Sequence, residues 1–394
     1  MRVVLVGPFG MRPKGTVKAR ALPLAQSLVA LGHNVSILIP PWDWPADAGS
    51  SYAIGEIQID NVSLGPNLPV LFHVFILLRL LHQVLRQDPD VVHVFKPKGY
   101  SGAVAVLLRP LRWLHLTRAR IVVDTDDWEG KGGWNDVAGY GYLARLLFPL
   151  QERWTLRTAD AVTAASAALR NMALALGLPM RRVFYVPNGP SDPAGRWLSD
   201  DCPTQAGVDA ACNVVLLYTR FLELDPSRVA AILRRVCNEV PDVELRVVGA
   251  GLHGEETVFA EVVAAAGLAD RVFMLGWMTE DGITTQLAHA AVAIYPYEDT
   301  LINRTKCSAK LIELLSFGLP VVADAVGQNC EYIEHGVSGL LVPSGDVEAF
   351  AQAVVDLLRD KPRRQLLGAN ARARIKERFL WSILVAQVEA AYRC

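Results

Sequence analysis

NRTKCSAKLIELLSFGLPVVADAVG, Asn303 to Gly327, decides how the rest of the chain is read. At about 100° per residue, Lys306, Lys310, Glu313 and Phe317 fall on one stripe of a helix, and Leu311, Leu314 and Leu315 fall on another. One stripe is predicted to face the core and the other to carry charge. Gly318 followed by Pro320 stops the helix, and Val321 to Ala323 is a short apolar run of the kind a buried parallel strand uses. Ser308, near the helix start, leaves backbone N–H groups aimed at whatever precedes them. With Ala309 and two lysines beside it, this end of the helix suits an anion such as phosphate. The competing reading is a solvated amphipathic helix in which Lys310 and Glu313 pair with each other.

The same residues resemble the signature of the family 4 glycosyltransferases, retaining enzymes of the GT-B fold. That signature is a Glu, a spacer, and a second Glu on a helix followed by a small-residue turn and PVVA. Glu313 with GLPVVA matches the second half, and Thr305 stands where the first Glu falls. The resemblance implies an α/β protein of two Rossmann-like, doubly wound parallel-sheet domains facing a cleft, with a C-terminal helix crossing back to the first. It also implies that Glu313 holds the ribose of a donor nucleotide, with Lys306, Ser308, Ala309, Lys310 and Leu311 around it.

The chain's 394 residues suffice for two domains with separate cores. Its 39 basic and 40 acidic residues give no global charge that argues for nucleic acid. The apolar stretch Leu68 to Leu85 is interrupted by His73, Arg79, His82 and Gln83, so its uncharged part reads as too short to span a bilayer. Val3 to Val6 already reads as a strand where a signal peptide would begin, which predicts a cytoplasmic protein. Cys202, Cys212, Cys237, Cys307, Cys330 and Cys394 show no zinc spacing and are expected to be reduced thiols.

In chain order, RVVLVG is a buried strand, a helix follows from about Val17 to Leu31, and NVSILIP returns to strand. The spacing Gly7, Gly10, Gly15 is not the dinucleotide fingerprint, and Pro40 and Pro41 replace the ribose-binding acid, which excludes an NAD dehydrogenase. By resemblance, this loop lines the acceptor side with Arg12, Lys14, Lys18 and Arg20, and Gly15 approaches the ligand. Helices at Leu68 to Arg86 and Ala103 to His115 flank the strand Val91 to Val94. Their arginines, Arg79, Arg86, Arg109 and Arg112, continue into Arg118 and Arg120. This reads as a basic, apolar surface able to lie on an anionic membrane, or as helices that simply cover a parallel sheet.

DTDDWEGKGGWNDV, Asp124 to Val137, follows the strand IVVDTD, at the end where doubly wound sheets bind ligands. Trp128 and Trp134 are flat apolar surfaces of the kind sugars stack on. The family carries a His-Asp pair here. Asp126 falls at the His and Asp127 at the Asp, and both are candidate catalytic residues. A helix at Leu143 to Thr158 and the strands ADAVTAAS and VFYVP close the first domain, and Pro190 to Asn213 reads as a linker.

The second domain opens with NVVLLYTRF. By resemblance, Arg220 contacts the donor diphosphate and, with Lys310, is a candidate catalytic residue. Asp225 stands where the family has a lysine and reads instead as a helix cap before Pro226. Gly249 and Gly251 form a glycine turn after VELRVV, and Gly276, Trp277 and Met278 occupy the family's nucleobase position. Glu298 or Asp299 stands in for the missing first Glu, or is a solvent-facing loop acid. A last helix is expected from about Pro362 to Arg393. The expected domains are 1–190 with 376–394, and 210–375. The expected reaction is metal-independent, cofactor-free transfer of a hexose-type sugar from a nucleotide-diphosphate sugar to a lipid-linked or glycan acceptor, with retention, by a cytoplasmic protein peripheral at the inner face of the membrane. The rival readings are a non-catalytic relative that binds a sugar nucleotide or a partner, and a hydrolase, phosphorylase or epimerase on the same fold.

Overall fold

The computed structural model describes residues 1–13, 15–191, 196–198, 213–251 and 253–394. Lys14, most of the expected linker, Cys202 and Cys212 lie outside these residues. The chain forms two compact units: Met1–Ser191 with Thr305–Cys307 and Trp381–Cys394, and Asp192–Arg304 with Ser308–Leu380.

The first unit is built from β1 (Arg2–Val6), a π-helical turn (Val17–Ala21) running into α1 (Leu22–Ala30), β2 (Asn34–Ile39), β3 (Ser51–Ile54) and β4 (Ile57–Asn61). Then come α2 (Pro69–Gln87), β5 (Val91–Phe95), α3 (Gly99–Trp113), β6 (Arg120–Thr125) and the short α4 (Trp134–Val137). It closes with α5 (Tyr142–Thr158), β7 (Ala161–Ala164), α6 (Ala167–Ala175) and β8 (Val183–Tyr185). These strands make one eight-stranded sheet in the order β3-β4-β2-β1-β5-β6-β7-β8. Only β3 runs antiparallel, as an edge hairpin with β4 that the hydrophobic pattern does not announce. The continuous apolar runs of β1, β2, β5 and β6 are buried on both faces, as a covered parallel sheet requires.

The second unit comprises β9 (Val214–Tyr218), α7 (Pro226–Glu239), β10 (Glu244–Val248), α8 (Glu255–Ala265), β11 (Val272–Gly276), α9 (Glu280–His289) and β12 (Val292–Tyr295). After α10 (Leu301–Thr305) come α11 (Ala309–Phe317), β13 (Val321–Asp324), α12 (Asn329–Tyr332), β14 (Leu340–Val342), α13 (Val347–Arg359) and α14 (Lys361–Arg378). Its six strands are all parallel, in the order β11-β10-β9-β12-β13-β14. Asp225 caps α7 by accepting the Ser227 N–H at 2.9 Å, with Pro226 at the first helical position. The buried Arg228 guanidinium on α7 grips Asp324 at the end of β13 through two bonds, of 2.6 and 2.7 Å.

The expected last helix is two helices. α14 ends at Arg378, and α15 (Trp381–Arg393) groups with the first unit, where it packs against α1 and buries Trp381, Val388 and Tyr392.

Candidate functional site

In the second unit, the carboxyl end of β9 collects the charged side chains. Tyr218, the last residue of β9, is buried and serves as a hub. Its ring lies under the Lys310 ammonium at 4.2 Å, and its hydroxyl bonds the Glu313 carboxylate. Burial first, and then Glu313, push the Tyr218 hydroxyl far above its ordinary range, so it remains a proton donor. Two residues on, the Arg220 guanidinium lies over the Trp277 ring at 5.2 Å. Partial burial holds Arg220 below its ordinary value. The turn that aims it is strained: Phe221 sits at φ 67°, held by its own N–H bond to Thr219 Oγ1 at 2.9 Å.

α11 supplies the other wall. Ser308 is its N-cap, accepting the Leu311 N–H at 3.2 Å and exchanging a short hydrogen bond with the Tyr295 hydroxyl. The Ala309 and Lys310 amides in the first turn carry the positive end of the helix dipole. Gly318 ends the helix at φ 84°, a left-handed position that a side chain would strain. The expected charged outer stripe is not found. Every residue from Leu311 to Phe317 is buried, Glu313 included, because α11 lies beneath α14 as well as against the sheet. Glu313 is thus an interior carboxylate bound to a tyrosine, and Leu311 is a core side chain that can reach a ligand only through its backbone.

Gly249 is required by contact: a Cβ there would stand 2.0 Å from the Thr219 carbonyl oxygen. Its N–H bonds the Gly276 carbonyl at 2.8 Å, which ties β10 to the turn that presents Trp277 and Met278. Trp277 is exposed and Met278 half-buried, whereas the Gly251 amide departs from expectation. It donates to Glu256 Oε2 at 2.8 Å, and His253 N–H donates to Glu255 Oε2 at 2.8 Å, so carboxylates from α8 already fill this turn. Asp299 pairs with Arg304, and Glu298 is exposed. Thr305 is buried in the first unit's grouping, its carbonyl accepting from Ser166 Oγ at 3.0 Å, and Lys306 belongs to the same grouping.

In the first unit the carboxyl ends of β5 and β6 hold a closed set of ion pairs. The register Phe95↔Asp124 sets the loops after the two strands side by side. Lys96, at φ 55° and buried, reaches Asp126 at 3.2 Å and makes a short contact with Asp127. Burial alone would lower the Lys96 value, but Asp126, Asp127 and Glu129 raise it and keep the ammonium charged. Burial pushes Asp126 up to about 6, against the pull of Lys96 and with the repulsion of Asp127 and Asp124. Lys98 pairs with Glu129, and the Glu129 N–H donates to the buried Glu152 at 3.2 Å. Burial lifts Glu152 to about 8. Lys96 and Lys98 escaped the sequence reading, although KPK directly after a strand, beside a neighbouring strand that ends in DTDD, was the available signal.

Two further expectations change here. Arg20 does not line an acceptor surface: it is buried, donating to both Asp124 oxygens at 2.7 and 2.6 Å and to Asn188 and Val186. Arg12 is exposed and paired with Asp47, and Lys18 is exposed. Trp128 is buried within its own loop, its ring against Gly130 and its carbonyl against Gly133, where a Cβ would come within 2.1 Å. It shapes the acidic loop and leaves only the half-buried Trp134 to meet a sugar.

Residues 15–189 match the Glycosyl transferase 4-like domain, and residues 227–360 match the Glycosyl transferases group 1. A phosphatidyl-myo-inositol mannosyltransferase of Mycobacterium leprae is 25% identical over 410 residues, covering 100% of this chain and 96% of that protein. Among solved structures, the sucrose-phosphate synthase from Thermosynechococcus elongatus superposes with a TM-score of 0.74 at 21% identity, over 100% of this chain and 98% of that one. The Anabaena protein HepE, solved with UDP, gives a TM-score of 0.68 at 18% identity, over 99% and 98%. With both halves matched by family models and both sheets superposing on such enzymes, the chain belongs to family 4 of the glycosyltransferases, the group 1 transferases of GT-B fold.

Proposed function

We propose that the chain transfers a hexose-type sugar from a nucleoside-diphosphate sugar to a lipid-linked or glycan acceptor, with retention of anomeric configuration and without a divalent metal. The observation that carries the donor half is the meeting of Arg220, Trp277, Lys310 and Glu313 around Tyr218 and the β9 terminus. The bond that breaks joins the anomeric carbon to a diphosphate oxygen, and the electron pair leaves on that oxygen. Arg220, Lys310 and the first amides of α11 supply positive charge there. Glu313 takes the ribose hydroxyls, the Gly276 turn takes the base, and Gly249 lets backbone approach the ligand.

The acceptor half rests on the first unit. Asp126, with its value near 6, and Asp127 are the carboxylates nearest to taking an acceptor hydroxyl's proton or holding the sugar. A lipid-linked acceptor agrees with the relative named a phosphatidyl-myo-inositol mannosyltransferase, and implies a protein peripheral at the inner membrane face.

Release of nucleoside diphosphate from UDP-, GDP- and ADP-sugars, measured with and without a phosphatidylinositol or polyisoprenyl phosphate acceptor, tests the reading. Acceptor-dependent release is expected. One observation favours a non-catalytic relative: Thr305, at the first Glu's position, is buried, and Asp299 is bound to Arg304. Tight nucleotide binding without release would support that rival, and release indifferent to acceptor would support a hydrolase.

A further inference from the structure

The sequence leaves two readings for the first unit's helices, a basic, apolar surface for an anionic membrane or helices that cover the sheet. Three of the six arginines named there are engaged within the unit. Arg79 donates to the Ser63 and Leu64 carbonyls at 2.8 and 2.7 Å, and Arg109 and Arg112 both lie against Asp160. These cations serve the fold.

The apolar side chains, by contrast, point outward. α5 is inside out: it buries Glu152, Thr155 and Leu156 and exposes Tyr142, Leu143, Leu146, Leu147, Leu150 and Trp154. Leu143 is 71% exposed and Leu150 63%. Along α2, Ile76, Leu80 and Val84 enter the core, while Val70, Leu71, Val74, Phe75 and Leu78 stay in solvent, with Val70 74% exposed. α3 lies between these helices, contacting both, and His73 on α2 bonds Tyr100 in the first turn of α3 at 2.6 Å. α2 ends where Gln87 meets Arg2 at the start of β1, and α5 ends where Asp160 meets the start of β6. Their exposed amino-terminal halves therefore stand toward the carboxyl ends of the strands, the end from which the acidic loop after β6 emerges.

Exposed apolar surface on this scale marks a docking face, and its charges say what docks. α2, α3 and α5 carry one acid, Glu152, and it is buried, whereas Arg145 and Arg153 are exposed on α5. A second copy of the same face would bring like charges together. An anionic lipid surface answers both the leucines and the arginines, with Tyr142 and Trp154 suited to the headgroup level. By length and composition α2, with a mean hydropathy of 1.4, is long and apolar enough to cross a membrane, although Arg79 interrupts its uncharged part. Its line of Ile76, Leu80 and Val84 is nonetheless committed to the core.

We propose that the amino-terminal halves of α2 and α5 together form a monotopic face that inserts its leucines into the interface of an anionic bilayer. This rests on the reading of a lipid-linked acceptor and deepens it: the face stands at the same end of the strands as Asp126 and Asp127, so an acceptor headgroup would rise toward the acidic loop.

The test is flotation of the full chain with phosphatidylcholine vesicles containing phosphatidylglycerol, at low and high salt. Recovery is expected to fall with salt but not to vanish, because screening weakens the pull on Arg145 and Arg153 and leaves leucine insertion intact. Leu143→Glu with Leu147→Glu, and separately Leu71→Glu with Leu78→Glu, should each lower recovery by more than about tenfold. The positions are exposed, so melting temperature and nucleoside-diphosphate affinity should not change. Absence of flotation overturns the proposal. So does flotation that high salt abolishes, or that the glutamates leave unchanged, or a lipid-free dimer that the glutamates dissolve. Diphosphate release measured on the same preparations separates the two readings. A protein that floats but never turns over sinks the reaction alone, and one that turns over with soluble acceptor but never floats sinks the face alone.

Discussion

Both units end a central parallel strand with a non-glycine residue in the left-handed region nearby, Lys96 after β5 and Phe221 after β9, and both collect charge there. What they do with the charge differs. In the first unit, Arg20 is spent on Asp124, Lys96 on Asp126 and Asp127, and Lys98 on Glu129. In the second, Arg220 and Lys310 lie on the faces of Trp277 and Tyr218. An aromatic face orients a cation without neutralising it, as Trp277 does for Arg220. The second arrangement suits a doubly charged diphosphate, and the first suits a neutral hydroxyl acceptor among carboxylates.

If that contrast is right, cutting a pair in the first unit harms the fold, and cutting a cation in the second harms binding. The largest effect is expected from Arg20→Ala, which leaves Asp124 buried without its partner. Burial alone would raise the Asp124 value, and Arg20 is the main group that holds it low. A loss of roughly 3–5 kcal/mol should appear in denaturant unfolding. A loss below about 1 kcal/mol would show that the interior there is wetter than its burial indicates.

A pH scan sharpens the same contrast. The folded value of Glu152 lies at about 8, above the ordinary 4.5, so its protonated form is favoured on folding. Its contribution is fully present below pH 4.5 and is lost as pH rises through 8. Glu152→Gln keeps the shape and removes the titration. It should therefore flatten the pH dependence of the unfolding free energy between pH 5 and 9, roughly 2–4 kcal/mol across that window. Parallel curves for the two proteins would mean that Glu152 is ionised throughout.

The smallest effect belongs to Lys310→Ala. A single point charge on a tyrosine face should cost about 0.5–1 kcal/mol of nucleoside-diphosphate affinity, with no change in melting temperature. A larger loss than that of Arg220→Ala would transfer the leading role to the lysine.

Much of this was legible in residues alone. Apolar runs bounded by Gly and Pro give both parallel sheets, Asp225-Pro226 gives a helix start, and Gly318-Leu319-Pro320 gives a helix end. Periodicity, however, reports only that a helix has two faces. It assigns the apolar one to the core, which fails on α5, where Glu152 goes in and Leu143 to Leu150 stay out. It fails on α11 too, where the stripe carrying Glu313 turns inward to Tyr218 and Glu313 is buried. Neither the inward turn nor the missing cover is encoded locally. Trp128 reads in the sequence as a surface for a sugar to stack on, but Gly130 and Gly133 let its ring fold inward. The pairing of Lys96 with Asp126 and Asp127 depends on which strands are neighbours, and that follows from topology.

The central claim is that the second unit holds the donor's diphosphate and ribose through Arg220 and Glu313. The most direct measurement is calorimetric titration of UDP, GDP and ADP into the full chain and into Arg220→Ala and Glu313→Gln, with melting temperatures taken on the same samples. One nucleotide should bind clearly best. Each substitution should weaken it by roughly 1.5–3 kcal/mol, about 10- to 150-fold, with melting temperature preserved in Arg220→Ala. Undiminished affinity in both variants would contradict the account and move the donor site elsewhere.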